Sequence, residues 1–153
     1  MSKKVDVLLI ALSSPIQIGI YENNQCIDVI KSTLKSSDIL PTLYKEIFNR
    51  YIVENLFFAN GPGSFMAIKV SYIFLKSLSI LKQIPLFATD AFYFNKNEPI
   101  KAMGKLCFVK MGSEIKTQKL EIAPSMEFKI PAVLDYNEFS TTVLPNYNIG
   151  AVG

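Results

Sequence analysis

The chain has 153 residues and a formal net charge of +3, and half of its residues are hydrophobic. This length predicts one domain, or one domain with an appendage, that can bury a substantial core. The sequence contains no histidine and only two cysteines, Cys26 and Cys107. This composition excludes Ser-His-Asp and Cys-His nucleophile systems, a four-ligand structural zinc site and a His-based metalloprotease site. We therefore expect no metal, no cofactor, and a reduced protein in the cytoplasm.

The sequence also lacks features that are typical of membrane-spanning and RNA-binding proteins. No run of about 18 apolar residues occurs, so we expect no transmembrane helix and no membrane partner. Arg50 is the only arginine among the 16 basic residues. Because bidentate contacts to phosphate and guanine are typically made by arginine, strong direct binding of RNA is disfavoured.

Three strands joined by short turns open the chain. The apolar run Val5–Leu12 is typical of a strand covered on both faces, and residues 16–21 alternate with a period of two. A polar turn follows, and Cys26–Thr33 is predicted to be the third strand. The pattern indicates an antiparallel meander.

Two helices are predicted next. The first begins near Ser36 and ends near Tyr51, with apolar residues at helical spacing. A short strand, Leu56–Ala59, separates it from a second helix, Phe65–Lys82, which is followed by a strand starting at Pro85. The sequence predicts an α/β or α+β architecture, a mixed sheet with flanking helices.

The last part of the chain has a weaker pattern. Asp90 is a candidate cap for a short helix through Phe94, and two strands of a hairpin are predicted at Lys105–Met111 and Glu114–Ile122. The segment from Ala123 onwards has little periodicity.

The second predicted helix carries two apolar arcs instead of one. One arc holds Met66, Ala67, Val70, Ile73, Phe74, Leu78, Ile80 and Leu81. The other holds Phe65, Ile68, Tyr72 and Leu75. Two arcs imply burial on two sides: one against the sheet, and one against the first helix or another protein. The wheel does not indicate which arc faces the sheet.

A glycine-rich turn, Gly61, Pro62, Gly63 and Ser64, precedes this helix. Glycine permits backbone angles that other residues resist, and Ser64 can cap the helix. The free N–H groups that follow are able to hold an anion. The motif matches neither GxxxxGK[ST] nor GxGxxG, so a purely structural turn is the alternative.

The residues around this turn resemble the bacterial TsaB (YeaZ) family. Residues 58–65, FANGPGSF, with the later Ile-Pro-Leu at 84–86, are similar to its G-x-G-P-G-S-F-T-G-[VL]-R and I-P-L landmarks. Residues 35–41, KSSDILP, are similar to H-S-x-x-L-L-P, and residues 8–14, LLIALSS, to L-A-I-D-T-S. The three landmarks occur in the family's order between residues 5 and 92.

The resemblance implies an actin/sugar-kinase/Hsp70-like (ribonuclease H-like) fold with a reduced second lobe. The N-terminal lobe would span residues 1–103, and a hairpin with a tail would span 104–153. It also implies a non-catalytic scaffold in tRNA threonylcarbamoyladenosine biosynthesis, with a TsaD-like catalytic subunit and a TsaE-like ATPase as partners, homodimer formation as a further option, and only indirect contact with tRNA. The helices would form the interface, with Ile39, Leu43, Ile47, Phe65, Ile68, Tyr72 and Leu75 as candidates.

The sequence departs from the family pattern at several positions. Ala11 stands where the family has Asp, Lys35 where it has His, and Lys69 where it has Arg. Because the acidic position serves metal and nucleotide handling in catalytic relatives, Ala11 argues against enzymatic activity. Two alternatives stay open: a nucleotide- or anion-binding module using the Gly61–Ser64 turn, and a standalone homodimeric interaction protein.

Overall fold

The computed structural model describes residues 2–146. Its main element is a five-stranded mixed sheet in the order β3-β2-β1-β4-β5. β1 pairs antiparallel with β2 and parallel with β4, as the opening meander and the later crossovers predict. The strands are β1 (Lys4–Ile10), β2 (Ile16–Glu22), β3 (Gln25–Ser32), β4 (Ile52–Ala59) and β5 (Leu86–Thr89).

Two helices cover one face of this sheet. They are α1 (Ser36–Arg50) and α2 (Phe65–Lys82), and each supplies a crossover between parallel strands. The helices also contact each other, for example through the Tyr44 and Phe74 rings, whose centroids lie 5.2 Å apart. The core beneath them contains Leu40, Tyr44, Ile47 and Leu75 from the helices, and Val5, Val7, Leu9, Ile16, Ile18, Ile20, Val53, Leu56 and Phe58 from the strands.

The other face of the sheet is covered without an α-helix. A 3-10 helix at Ala91–Phe94 is followed by a small antiparallel sheet of β6 (Ile100–Met103), β7 (Leu106–Met111) and β8 (Glu114–Lys119). Residues 120–146, which we call the strap, then cross back over the large sheet. This second core contains Leu8, Ile10, Phe57, Phe92, Phe108, Phe128, Leu134 and Phe139.

The strap is held by these buried apolar residues and by hydrogen bonds to distant parts of the chain. The Gln17 side-chain amide donates to the carbonyl of Phe128 at 2.7 Å, and the Tyr21 hydroxyl donates to the carbonyl of Pro131 at 2.7 Å. Ala88 exchanges two backbone hydrogen bonds of 2.9 Å with Ser140. The backbone groups of this irregular segment are therefore hydrogen-bonded to residues of the large sheet.

Several predicted boundaries need correction. β4 begins at Ile52, four residues before the predicted strand, and β6 was not predicted. β6 pairs with β7 across the predicted boundary between residues 103 and 104, and the division into two lobes stays a prediction. The end of the predicted second lobe, residues 147–153, lies outside the described residues. Within residues 2–146, no helix combines the length and the apolar character needed to cross a membrane.

Candidate functional site: the glycine turn and two helix N-termini

The glycine turn is tightly packed at its first residues. Gly61 has φ = +110°, its peptide bond to Pro62 is cis, and both residues are buried. A Cβ atom on Gly61 would lie 2.3 Å from the carbonyl oxygen of Asn146 in the strap. Gly63 approaches Leu12, where a Cβ atom would lie 3.1 Å from the Leu12 side chain. The backbone therefore requires glycine at residue 61 for structural reasons alone.

The end of the turn is accessible instead. Ser64 is exposed and occupies the N-cap position of α2, as predicted, but its side chain makes no capping hydrogen bond. Its backbone N–H donates to the carbonyl of Leu12 at 3.1 Å, which fixes the start of the helix against the β1–β2 turn. α1 begins in the same way, with Lys35 at the N-cap and no capping side chain.

The first turns of both helices line one groove of about 560 Å³. The β1–β2 turn and the end of β3 supply its remaining walls. Its hydroxyl-bearing residues are Ser13, Ser14, Thr33, Ser36, Ser37 and Ser64. Its remaining residues are Lys35, Ile16, Leu34, Met66, Ala67 and Val70. The groove thus joins two of the sequence landmarks, the Gly61–Ser64 turn and the Lys35–Ser37 segment.

The predicted interface residues divide into two groups. Ile47, Ile68 and Leu75 are at most 2% exposed and belong to the cores of the chain itself, so they are not surface contacts and the prediction is corrected for them. Ile39, Leu43 and Tyr72 are half-buried against the helical core, and Phe65 is exposed.

The most exposed apolar residues of α2 are not among the predicted interface residues. Met66, Ile73, Ile80 and Leu81 are each more than half exposed, from 53% for Ile73 to 79% for Leu81. We call these four residues the α2 stripe. The first three are spaced by seven residues and share one face of the helix.

Ser71 is a polar residue on the inward face of α2. It is 2% exposed and faces inward with Ile68 and Leu75. Its hydroxyl donates to the carbonyl of Ala67 at 2.7 Å, so the polar group is satisfied within the helix and can be buried. A serine that can bond the carbonyl four residues earlier is the feature of the sequence that could have indicated this inward face.

A polar cluster that the sequence did not indicate ties the strap to the sheet. Asp6 of β1 is buried, accepts a 2.8 Å hydrogen bond from the Asn55 amide, and accepts another from the Tyr136 hydroxyl. Partial burial and the hydrogen bond to Asp6 raise the pKa of Tyr136 above its ordinary value. The partners of Asp6 fix the strap, so this carboxylate has a structural role.

Asp90, whose neighbour Ala91 donates to the carbonyl of Gly61, is also fully engaged. One oxygen caps the 3-10 helix by accepting from the N–H of Phe92 at 2.9 Å, as predicted, and the other pairs with Lys110 at 2.5 Å. Among residues 2–146, no three His, Cys, Asp or Glu side chains are grouped so that they could hold a metal ion.

Comparison with known proteins identifies the fold. No protein-family model and no curated protein matches the chain. The solved structure of YeaZ from Pseudomonas aeruginosa is similar over 86% of this chain and 71% of its own, with a TM-score of 0.54 and 14% identity. A second solved structure, of an uncharacterized protein described as similar to peptidase YEAZ from Pseudomonas aeruginosa, is similar over 86% of this chain and 70% of its own. Its TM-score is 0.53 and its sequence identity is 15%. The chain therefore has a YeaZ-like, actin/ribonuclease H-like α/β fold, which confirms the predicted fold class.

Proposed function

We propose that this chain is a non-catalytic scaffold subunit of the tRNA threonylcarbamoyladenosine biosynthesis machinery, and that it pairs with a TsaD-like catalytic subunit. The YeaZ-like fold and the three sequence landmarks support the family. The observation that carries the pairing is the α2 stripe, an exposed apolar face on a helix whose opposite face already packs on the sheet.

The α2 stripe has the character of a surface that a partner covers. A helix on the outside of a single domain normally presents polar residues to water, whereas four large apolar side chains face outward here. Lys69 and Lys76 lie beside the stripe and are exposed. Apolar contacts at the centre with charged residues at the rim are the usual anatomy of a protein interface.

The catalytic role falls to the partner in this proposal. Ala11, which occupies the position of the family's Asp, is buried and brings no carboxylate to the end of β1. Asp90, which flanks the turn, and Asp6, which binds Tyr136 of the strap, are both engaged in structural contacts. The TsaE-like ATPase would then bind the assembled pair, and tRNA would be contacted through the partner.

Co-expression with the TsaD homologue of the same cell tests the pairing. We expect the full chain to co-purify with it, and expect Ile73→Asp to abolish co-purification because a buried, unpaired carboxylate is costly at an interface. Ile122→Asp is the matched control, since Ile122 is 84% exposed and lies outside α2. Undiminished co-purification of Ile73→Asp and of Ile80→Asp would refute the pairing.

Homodimer formation through the same stripe is the second candidate. The stripe fits either partner, because a two-fold axis would place one copy of α2 against the other. The solution mass of the purified chain at two concentrations separates the candidates. A dimer that Ile73→Asp dissociates, in a chain that never binds the TsaD homologue, would support a standalone homodimeric protein.

A further inference from the structure

Two helix N-termini converge on the groove of about 560 Å³. α1 has 15 residues and α2 has 18, so each carries a substantial positive partial charge at its first turn. Neither end is neutralised by a capping side chain. A groove bounded by two such ends has a positive potential before any side-chain charge is counted.

The donors of these first turns are available. Within residues 2–146, the backbone N–H groups of Ser36, Ser37, Met66 and Ala67 have no acceptor. Lys35 adds a full positive charge at the same place. Asp38 lies in the first turn of α1, but it is exposed to solvent and is not part of the groove lining.

The Ser36 side chain supplies an independent indication of a ligand. It is only 9% exposed and lines the groove, yet its hydroxyl has no hydrogen-bond partner in the described part of the chain. The hydroxyl oxygen itself is not sealed from solvent but opens into the groove, so it is free to form a hydrogen bond with a molecule that binds there. Ser36 also belongs to α1, so its hydroxyl lies beside the free N–H groups of the same turn.

The remainder of the groove is apolar. Ile16, Leu34 and Val70 line it, and Leu34 is 60% exposed although it is a large apolar side chain. An inorganic ion alone would leave the exposed Leu34 side chain in water. The combination fits a molecule with an anionic head and an apolar body.

We propose that this groove binds a small organic anion, a phosphate or carboxylate attached to an apolar body. The anionic head accepts hydrogen bonds from the N–H groups of both helix starts and from the Ser36 hydroxyl, with Lys35 balancing its charge. The apolar body packs on Ile16, Leu34 and Val70. The proposal does not depend on the protein partner proposed above.

Titration of the full chain with phenyl phosphate, followed by amide NMR, tests the proposal. We expect saturable shifts at Ser36, Ser37, Met66 and Ala67, and weaker affinity as salt is raised. Inorganic phosphate should bind more weakly because it lacks the apolar body, and phenol should bind more weakly because it lacks the charge. Titration with benzoate distinguishes a carboxylate head from a phosphate head.

Four variants distinguish a specific binding site from general attraction to positive charge. Ser36→Ala and Lys35→Gln should each weaken phenyl phosphate binding about tenfold, the usual effect of removing one hydrogen bond or ion pair to a charged group. The controls are Ser77→Ala and Lys76→Gln, which are exposed positions of α2 outside the groove. These two should bind as the parent does.

Three results would overturn the proposal. The first is that neither phenyl phosphate nor benzoate binds saturably. The second is that phenol binds as tightly as phenyl phosphate, which would leave a merely apolar groove. The third is that Lys76→Gln weakens binding as much as Lys35→Gln, which would indicate diffuse electrostatic attraction. Each can occur whether or not the chain co-purifies with a TsaD homologue, so the two proposals fail separately.

Discussion

The two faces of the large sheet are covered by different means. On one face, α1 and α2 bury apolar side chains at helical spacing, and both helices lie close in sequence to the strands they cover. On the other face, the strap is tied by side chains such as Gln17 and Tyr21, whose partners lie 111 and 110 residues away. The first face depends on local periodicity, and the second depends on individual long-range contacts.

The two faces of the sheet should differ in local stability. Helical turns share many contacts, whereas an irregular segment depends on a few anchors and can open without unfolding the rest. We therefore expect the amides bonded across the strap, such as those of Cys26 and Ser140, to exchange faster than those of β1. Four substitutions sharpen or break this contrast, and they are ordered by the expected size of the effect.

Leu75→Ala on the helical face is expected to have the largest effect. Leu75 is fully buried, so truncation should lower the free energy of unfolding by about 3 kcal/mol. Ile73→Ala, two residues earlier on the exposed arc, should change it by less than about 0.5 kcal/mol. Urea denaturation measures both. Equal losses would mean that Ile73 is buried in the isolated chain and that the α2 stripe is not a free surface.

Gly61→Ala tests the contact between the glycine turn and the strap. The added Cβ atom would meet the backbone of Asn146, and the residue would retain a positive φ, so we expect a loss of about 2 kcal/mol. Gly104→Ala provides the control, because Gly104 also has a positive φ but open space around its Cα atom. We expect Gly104→Ala to lose less stability than Gly61→Ala, because its loss comes from backbone strain alone. Thermal unfolding of both variants would reveal the difference.

Tyr136→Phe removes the hydroxyl that binds Asp6. We expect a loss of about 1 kcal/mol, because the buried carboxylate keeps Asn55 but loses its second donor. The effect should be confined to the strap face, where amide exchange of Cys26 and Ser140 should accelerate. Uniform acceleration that includes β1 would show instead that the two faces open together.

Tyr44→Phe should have the smallest effect at neutral pH, and its pH dependence distinguishes it from the other three substitutions.

 The Tyr44 hydroxyl is fully buried and has no hydrogen-bond partner, so removing it should change the free energy of unfolding by less than about 0.5 kcal/mol. Burial raises the pKa of Tyr44 above its ordinary value of 10.0, so the folded state holds this proton more tightly than the unfolded state does.

The sign of the alkaline effect follows from that pKa. The contribution of Tyr44 is fully present below pH 10.0 and is lost as pH rises above it, because the unfolded chain ionises first. Stability of the parent should therefore fall above this pH, and Tyr44→Phe should fall less steeply. Denaturation midpoints at neutral and alkaline pH measure the difference. Parallel curves would contradict the burial of this hydroxyl.

The sequence predicted the helical face well because its signals are local. The bounds of α2 match the predicted Phe65–Lys82, since a glycine turn precedes the helix and Pro85 follows it. The arc that faces the sheet was not predicted, because Ser71 satisfies its own hydroxyl within the helix. A residue that looks polar in the sequence can thus behave as a core residue.

The strap face was not predicted for the opposite reason. The contact between Tyr136 and Asp6 spans 130 residues, and neither residue belongs to a periodic pattern that would indicate it. The groove could not be predicted from local patterns: the Gly61–Ser64 turn and Ser36 are separate in the sequence, and their meeting depends on how β3 leads into α1. Local patterns predict elements, whereas tertiary structure decides which elements meet.

The path of the strap also protects the outer strands of the large sheet. Ser140 pairs with Ala88 of β5, and Val133 pairs with Gln25 of β3, so the same segment reaches both sheet edges. Free backbone groups at a sheet edge can pair with strands of other molecules and promote aggregation. At these two points the strap occupies those groups from within the chain, and it thereby limits growth of the sheet into a larger assembly.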